Sequence, residues 1–441
     1  MDAVLLSRIQ FALAAGFHFL FPPITLGLAL IIVILETKYL RGGDELVKRM
    51  SAFLVKILAL VFTVGVATGI VLEFSFGTNW SNYSRFVGDI FGAPLAAEGI
   101  LSFFLESVFL GVLVFGRTRV SKRAYWLSAV LVCFASHLSG LWIIIANSWM
   151  QTPAGFRIEN GRAVMTNFLE VVINHSSLVR YLHVVIASWI TGSLFVAGIA
   201  AWNIVTARHE EVFRPLLKLS LAVFAAAVII QLGSGHSHSV QVAKTQPEKM
   251  AAFEALWETT AGAPLSLFGI PVEKERKTYL EVSVPKLLSL LVHFNPNEKI
   301  AGLSEFPDNE KPPVLLTYAS YHVMISLGFL FPAIAGVGFL LFVRKRLFDT
   351  PWYLWALVFA VPLPHVANLF GWMAAEVGRQ PWVVYRVLRT ADAASVVVPA
   401  GQVLFTLIMF GLIYALLFVV FLVILAKIIR TGPDGAAHEA H

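Results

Sequence analysis

The chain has a single cysteine, Cys133, and it falls inside an apolar run. One thiol excludes an internal disulfide, a thiolate-held iron–sulfur cluster and a Cys-x-x-Cys-His haem attachment, so any haem bound here takes other ligands. Charge is scarce as well: 14% of the 441 residues are Asp, Glu, Lys or Arg, against 58% hydrophobic. A soluble domain carries about a quarter charged residues, and a mean hydropathy of +0.76 places the chain in a bilayer. There is no internal repeat and no low-complexity tract. A basic opening is missing too, since Asp2 stands where a cleavable signal carries Lys or Arg, and the first apolar run continues through Pro22-Pro23 to Leu35. The net charge of +6 comes from short clusters between apolar runs, which reports membrane topology and points away from nucleic acid.

What is present is a series of apolar runs long enough to cross hydrocarbon as helix. Spans are expected at roughly 9–35, 52–72, 94–116, 124–147, 181–206, 216–235, 318–343, 352–373 and 396–428, an all-α integral membrane protein with about nine transmembrane helices. The chain then divides into 1–235 (helices one to six), an extracytoplasmic loop 236–317, and 318–441 (helices seven to nine with a cytoplasmic tail). The connections with Lys38, Arg41, Lys48 and Arg49, with Arg117, Arg119, Lys122 and Arg123, with Arg208, Arg214 and Lys218, and with Arg344, Lys345 and Arg346 are short and basic. By the positive-inside rule they face the cytoplasm. The N-terminus, the connection from Glu73 to Ala93, the stretch 148–180 and the long loop then lie outside, with the C-terminus cytoplasmic. The tail from Gly432 to His441 reads as a frayed end.

A charge at the centre of a span costs about 2.5–3.5 kcal/mol on insertion scales, so each polar residue at depth asks for a reason. His18, His183, Met324 and Glu376 lie toward the loop-bearing leaflet on four different spans, where a bundle can gather them as iron ligands. A His–Met pair suits a low-spin electron-transfer haem, and a haem with one protein ligand keeps a face open for oxygen. Taken singly, spacing favours an interfacial hydrogen bond or a packing role for each over a ligand, the class in which His137, His293 and His365 stay. Glu98 and Glu106, eight residues apart on span three, form an intramembrane carboxylate stripe of the kind that relays protons. Gly378-Arg379-Gln380-Pro381-Trp382 sets a cation, an amide and an aromatic at the membrane surface, a group that can hold haem propionates or simply anchor the interface. His236 and His238 supply only two ligands, too few for a metal site.

These residues lie in stretches that resemble cytochrome bd oxidase subunit I. The likeness runs from Leu6-Ser7-Arg8-Ile9-Gln10-Phe11 through Phe17-His18-Phe19-Leu20-Phe21, Gly65-Val66-Ala67-Thr68-Gly69, Phe76-Gly77-Thr78-Asn79-Trp80, Gly88-Asp89-Ile90-Phe91-Gly92-Ala93-Pro94-Leu95 and Phe103-Phe104-Leu105-Glu106-Ser107 to Gly378-Arg379-Gln380-Pro381-Trp382. The resemblance implies that His183 and Met324 ligate a low-spin haem b, and that His18 and Glu376 serve a high-spin haem b and haem d, or a further haem b. It leaves open which of the two serves which. It links Glu98 and Glu106 to the haem pair and its proton supply, places Arg379 and Trp372 by the haems, and assigns quinol binding to Lys249 and Glu254 in the long loop. Two departures stand out: His322 occupies the position of a frequent Arg two residues before the Met ligand, and Ala367 to Phe370 lacks the acidic residue many members carry before Gly371-Trp372. The loop is of the short type found in cyanide-insensitive members.

The expected activity is quinol oxidation coupled to reduction of oxygen to water, with protons drawn from the cytoplasm, in a bacterial or archaeal cell membrane. The expected partners are a second membrane oxidase subunit (subunit II) and one or more small single-span subunits. Two other readings use the same residues: a haem b quinone-linked electron carrier that never meets oxygen, and an ion or solute transporter built on the intramembrane carboxylates.

Overall fold

A computed structural model describes residues 2–433; the expectation for the tail beyond Pro433 lies outside the described residues. Among these, nine helices are long and apolar enough to cross a membrane: Ala3–Gly42, Glu45–Thr78, Ser81–Phe115, Lys122–Gln151, Ser177–Val205, Glu210–Thr245, Val314–Val343, Pro351–Val377 and Ala400–Thr431. We number them spans one to nine. Their ends carry local signals. Asp2 accepts from the Val4 and Leu5 amides, Asp44 from Leu46 and Ser121 from Ala124, each satisfying amide donors that a helix start leaves unpaired. Gly43, at φ +66°, closes span one with a left-handed residue.

Three spans are not continuous α-helix. Span one breaks between His18 and Pro22, because two prolines remove two amide donors and can only restart a helix. Span eight breaks the same way between Ala360 and Leu363, at Pro362. Span three widens into a π-helix over Glu98–Phe103. The connection expected from Glu73 to Ala93 is much shorter: Glu73 is still in span two, and only Asn79 and Trp80 separate the helices. Span six likewise continues through His236 and His238 to Thr245, so the long loop begins ten residues later than the apolar pattern implies. It stops there because Gln246 precedes Pro247, and the residue before proline is pushed out of the α region.

Span five is the central helix, with 83% of its apolar window buried, whereas spans seven and nine have 11% each. Spans one and five touch backbone to backbone: a Cβ on Gly27 would lie 2.6 Å from Gly192 Cα, the close approach that small residues allow in membranes. Leu28, Ile57, Leu194, Ala200 and Leu216 fill the core around that contact. The loop between spans six and seven is structured. A short helix, Pro247–Phe253, is followed by an antiparallel hairpin, Leu265–Val272 with Lys277–Val284, and a helix, Leu287–His293. The hairpin is tied to span seven, where Ser266 Oγ lies 2.7 Å from the Tyr318 hydroxyl and the Ser266 carbonyl lies 3.1 Å from His322 Nε2.

Candidate functional site

The break in span one places His18 at a free helix end. Thr68 Oγ1 on span two donates to the Val64 and Gly65 carbonyls, and His18 Nδ1 is 3.0 Å from that oxygen. Since the threonine proton is already engaged, Nδ1–H is the donor, and Nε2 keeps its lone pair for a metal. Gly69 makes room for the imidazole, since a Cβ there would lie 3.2 Å from His18 Cε1. On span seven Met324 has a similar allowance: its Sδ would be 2.8 Å from a Cβ at Gly371. His183, on span five, lies with its Nδ1 3.2 Å from Gln231 Nε2 and its ring 5.2 Å from that of His238.

Glu376 is the most contacted of the marked residues. Arg379 Nη2 reaches it at 2.5 Å and Arg180 Nη2 at 4.0 Å, while Asn147 donates at 3.0 Å and Gln151 at 3.2 Å. Trp372 joins span one to this group, its ring edge-on to Phe19 at 5.4 Å and under the Arg180 guanidinium at 5.9 Å. Two buried guanidiniums thus face one carboxylate, and Arg180 Nε and Arg379 Nη1 are buried with no hydrogen-bond partner. Unspent donors of this kind fit an anionic group such as a haem propionate. With the free Nε2 of His18, the residues present fit haem.

Glu98 and Glu106 both turn to span four: Ser139 donates to Glu98 at 2.7 Å and Ser136 to Glu106 at 2.5 Å. Eight residues of ideal α-helix leave a lag of roughly 80°, and the wider winding of the π-segment between them removes much of it. The two serines, three residues apart, lie on one helix face as well.

Lys249 and Glu254 belong to the loop but are both buried. The Lys249 ammonium donates to Gln151 Oε1 at 2.6 Å and also to Gln246 Oε1. Burial first, then Arg180 and Arg379, hold its pKa well below the usual lysine value. Glu254 Oε2 accepts from the Ser266 amide at 2.9 Å, whereas its Oε1 is buried with no partner. Desolvation pushes this carboxyl up to about 8, against the lowering effect of the Ser266 hydrogen bond. Beside it Phe253 stacks on Tyr321 at 4.2 Å.

Residues 6–433 match the family model for cytochrome bd terminal oxidase subunit I. The chain belongs to this family. It is 39% identical to the cytochrome bd ubiquinol oxidase subunit 1 of Bacillus subtilis (strain 168), over 100% of this chain and 96% of that one. It is 33% identical to the cytochrome bd-II ubiquinol oxidase subunit 1 of Escherichia coli (strain K12), over 99% and 98%. The fold is similar to that of the bd oxidase from Geobacillus thermodenitrificans, with TM-score 0.92 and 29% identity over 97% and 98% of the two chains. As a bd oxidase subunit I the protein is a haem-dependent quinol:oxygen oxidoreductase of the electron-transport chain, multi-pass in a cell membrane, and its partner is a subunit II.

Four polar residues in contact with Glu376 or Lys249 went unmarked in the sequence: Asn147, Gln151, Arg180 and Gln246. Asn147 and Gln151 are four apart at the end of span four and so share a face, a signal the sequence does carry. Arg180 directly precedes the fifth apolar run, a placement the sequence does show. For Gln246 only the neighbouring Pro247 is informative.

Proposed function

We propose that this subunit oxidises quinol beside Lys249 and Glu254, at the edge of the long loop, and uses the electrons to reduce oxygen deeper in the same end of the bundle. The observation that carries the quinol site is Glu254 itself: a buried carboxyl with one oxygen held by the Ser266 amide and the other unpartnered. Quinol oxidation releases two protons, and a carboxylate whose pKa sits near the working pH is suited to take one. Phe253 and Tyr321 offer the apolar surface for a ring, and Lys249 orients its oxygen.

His183 and Met324 would hold a low-spin haem b, and His18 and Glu376 a high-spin haem b and haem d or a further haem b. Bound there, the haems supply the electron path and the open iron site for oxygen. Arg379 and Arg180 neutralise the propionates, and Trp372 packs between them and span one. Glu106 and Glu98, each held by a serine of span four, pass protons toward that site. With the basic connections in the cytoplasm, the N-terminus and the long loop are extracytoplasmic and the C-terminus cytoplasmic. Quinol protons are then released outside while oxygen takes its protons from inside, so charge is separated without a pump. A small single-span subunit would pack on the apolar outer faces of the bundle.

Steady-state oxygen uptake tests the quinol site. Lys249→Ala and Glu254→Ala each cut quinol-driven uptake while dithionite-reduced haem spectra stay parental. If both variants oxidise quinol at the parental rate, the site lies elsewhere.

A further inference from the structure

Lys249 and Glu376 do not touch; one side chain stands between them. Gln151 is the last residue of span four and is 1% exposed. Its Oε1 accepts from Lys249 Nζ at 2.6 Å, and its Nε2 donates to Glu376 Oε1 at 3.2 Å and to the Ala375 carbonyl at 3.4 Å. Its backbone carbonyl accepts from Gln246 Nε2 at 3.1 Å, and the Oε1 of Gln246 takes the same ammonium. The lysine stem is fixed from the other side by Gly378, where a Cβ would lie 2.9 Å from Lys249 Cγ.

The orientation of this amide is dictated by its neighbours. An ammonium only donates and a carboxylate only accepts, so the amide oxygen must face Lys249 and the NH2 must face Glu376. We propose that Gln151 is a positioning residue that couples occupancy of the quinol site to the arrangement of Glu376. This rests on the reading of Lys249 as a quinol-binding residue. A quinol oxygen that draws the ammonium toward itself takes it from Gln151 Oε1. The amide then loses the charge that polarises it, and its hold on Glu376 loosens relative to Arg379 and Asn147. A loaded and an empty quinol site therefore present two arrangements of that carboxylate. An amide also neither takes up nor releases a proton at neutral pH, so the link transmits position and field while the protons released by quinol stay on their own side.

The test uses the intact complex with its subunit II in detergent, as parent, Gln151→Leu, Gln151→Glu and Lys249→Ala. Two quantities are read. One is KM and kcat for the better of decylubiquinol and menadiol; the other is the change in the high-spin haem absorption when the matching quinone is added to the air-oxidised enzyme. Quinone shifts the parental spectrum. Gln151→Leu lowers KM several-fold, because quinol no longer has to draw the ammonium from an amide oxygen, leaves kcat within about twofold, and abolishes the shift. Gln151→Glu holds the ammonium with a full negative charge and offers Glu376 no amide donor, so it raises KM and alters the shift. No quinone shift in the parent, a KM not lowered or a parental shift in Gln151→Leu, or a KM not raised or an unchanged shift in Gln151→Glu overturns the coupling. If Gln151→Leu retains no haem, Gln151→Glu alone decides by the same criteria. A parental KM in Lys249→Ala refutes the quinol reading itself, whereas a raised KM there beside a parental Gln151→Leu refutes only the coupling.

Discussion

Glu36, which is buried, and Glu376, whose side chain is 33% exposed, both meet arginine at opposite ends of the bundle, and the settings differ. At the basic end Glu36 takes Arg117 through two hydrogen bonds, 3.1 and 2.6 Å, with Ser51 as a further donor. The guanidinium lies 4.0 Å over the Tyr125 ring. One charge answers one charge, and spans one, two and four are fastened together with the segment that follows span three. At the loop end Glu376 faces two arginines and, through Gln151, a lysine. Orphan donors remain there. The first arrangement balances one charge with one charge, although Arg117 Nε is also left without a partner; the second holds more cations than anions, which is what a haem site needs.

The largest expected effect lies at the loop end. His183→Ala or Met324→Leu removes the low-spin haem signal from the reduced spectrum without moving the Glu36–Arg117 pair at the basic end, so the subunit still inserts and assembles. Persistence of the signal in both variants, with quinol still reducing it, breaks the assignment of the loop end as the haem site. Next is Glu36→Ala, which leaves Arg117 half-buried and unpaired and costs about 3–5 kcal/mol, the usual penalty for stranding one partner of a buried pair. Thermal unfolding in detergent reads it, and adding Arg117→Leu restores most of the loss. If Glu36→Ala instead depletes haem at unchanged stability, the two carboxylates do not divide the work as described.

A smaller change is expected from Glu106→Leu. It slows oxygen reduction by about tenfold or more with haem content parental, because an apolar side chain cannot pass a proton through a dry region. Unchanged turnover excludes an obligatory role. The smallest effect is a pH dependence. The Glu254 carboxyl is raised from 4.5 to about 8, so stabilisation linked to its protonation is full below the lower value and lost as pH climbs through the upper one. The same ionisation creates the base that quinol oxidation uses. Quinol-limited turnover therefore rises a few-fold as pH passes through about 8, and Glu254→Gln flattens that limb; a parental pH profile in the variant removes Glu254 as the base. Neighbours on span seven, Tyr318, Tyr321 and His322, are present in both proteins and cancel in the comparison.

The spans were legible because a bilayer forces apolar runs of one minimum length, and that demand is written locally. Helix interruptions were less so. Pro22-Pro23 stands in plain view, yet the apolar run passes straight through it. The segment Ser81–Ala97 reads as a connection because Asn82, Arg85 and Asp89 punctuate it, although it folds as helix continuous with span three. The π-segment has no sequence mark at all. At the site, ionisable residues could be marked one by one because charge at depth is expensive. Gln151 and Asn147 are uncharged, and their part appears only once Glu376, Lys249 and Arg180 arrive from three other stretches of chain. The sequence names most of the charges, Arg180 excepted; the amides that hold them apart or together are a tertiary fact.

The π-segment of span three carries one more consequence. A π-turn is in effect one residue more than an α-helix needs, retained inside an otherwise regular rod. Removing a single residue between Glu98 and Glu106 lets the helix close into ordinary α geometry, with every hydrogen bond still made and the span still long enough to cross the bilayer. Seven α-helical steps then bring the two carboxylates to within about 20° of one another, so both keep the serine face of span four. The helix thus contains a one-residue vernier: the extra residue changes the length of the span while the register of the two acids is kept.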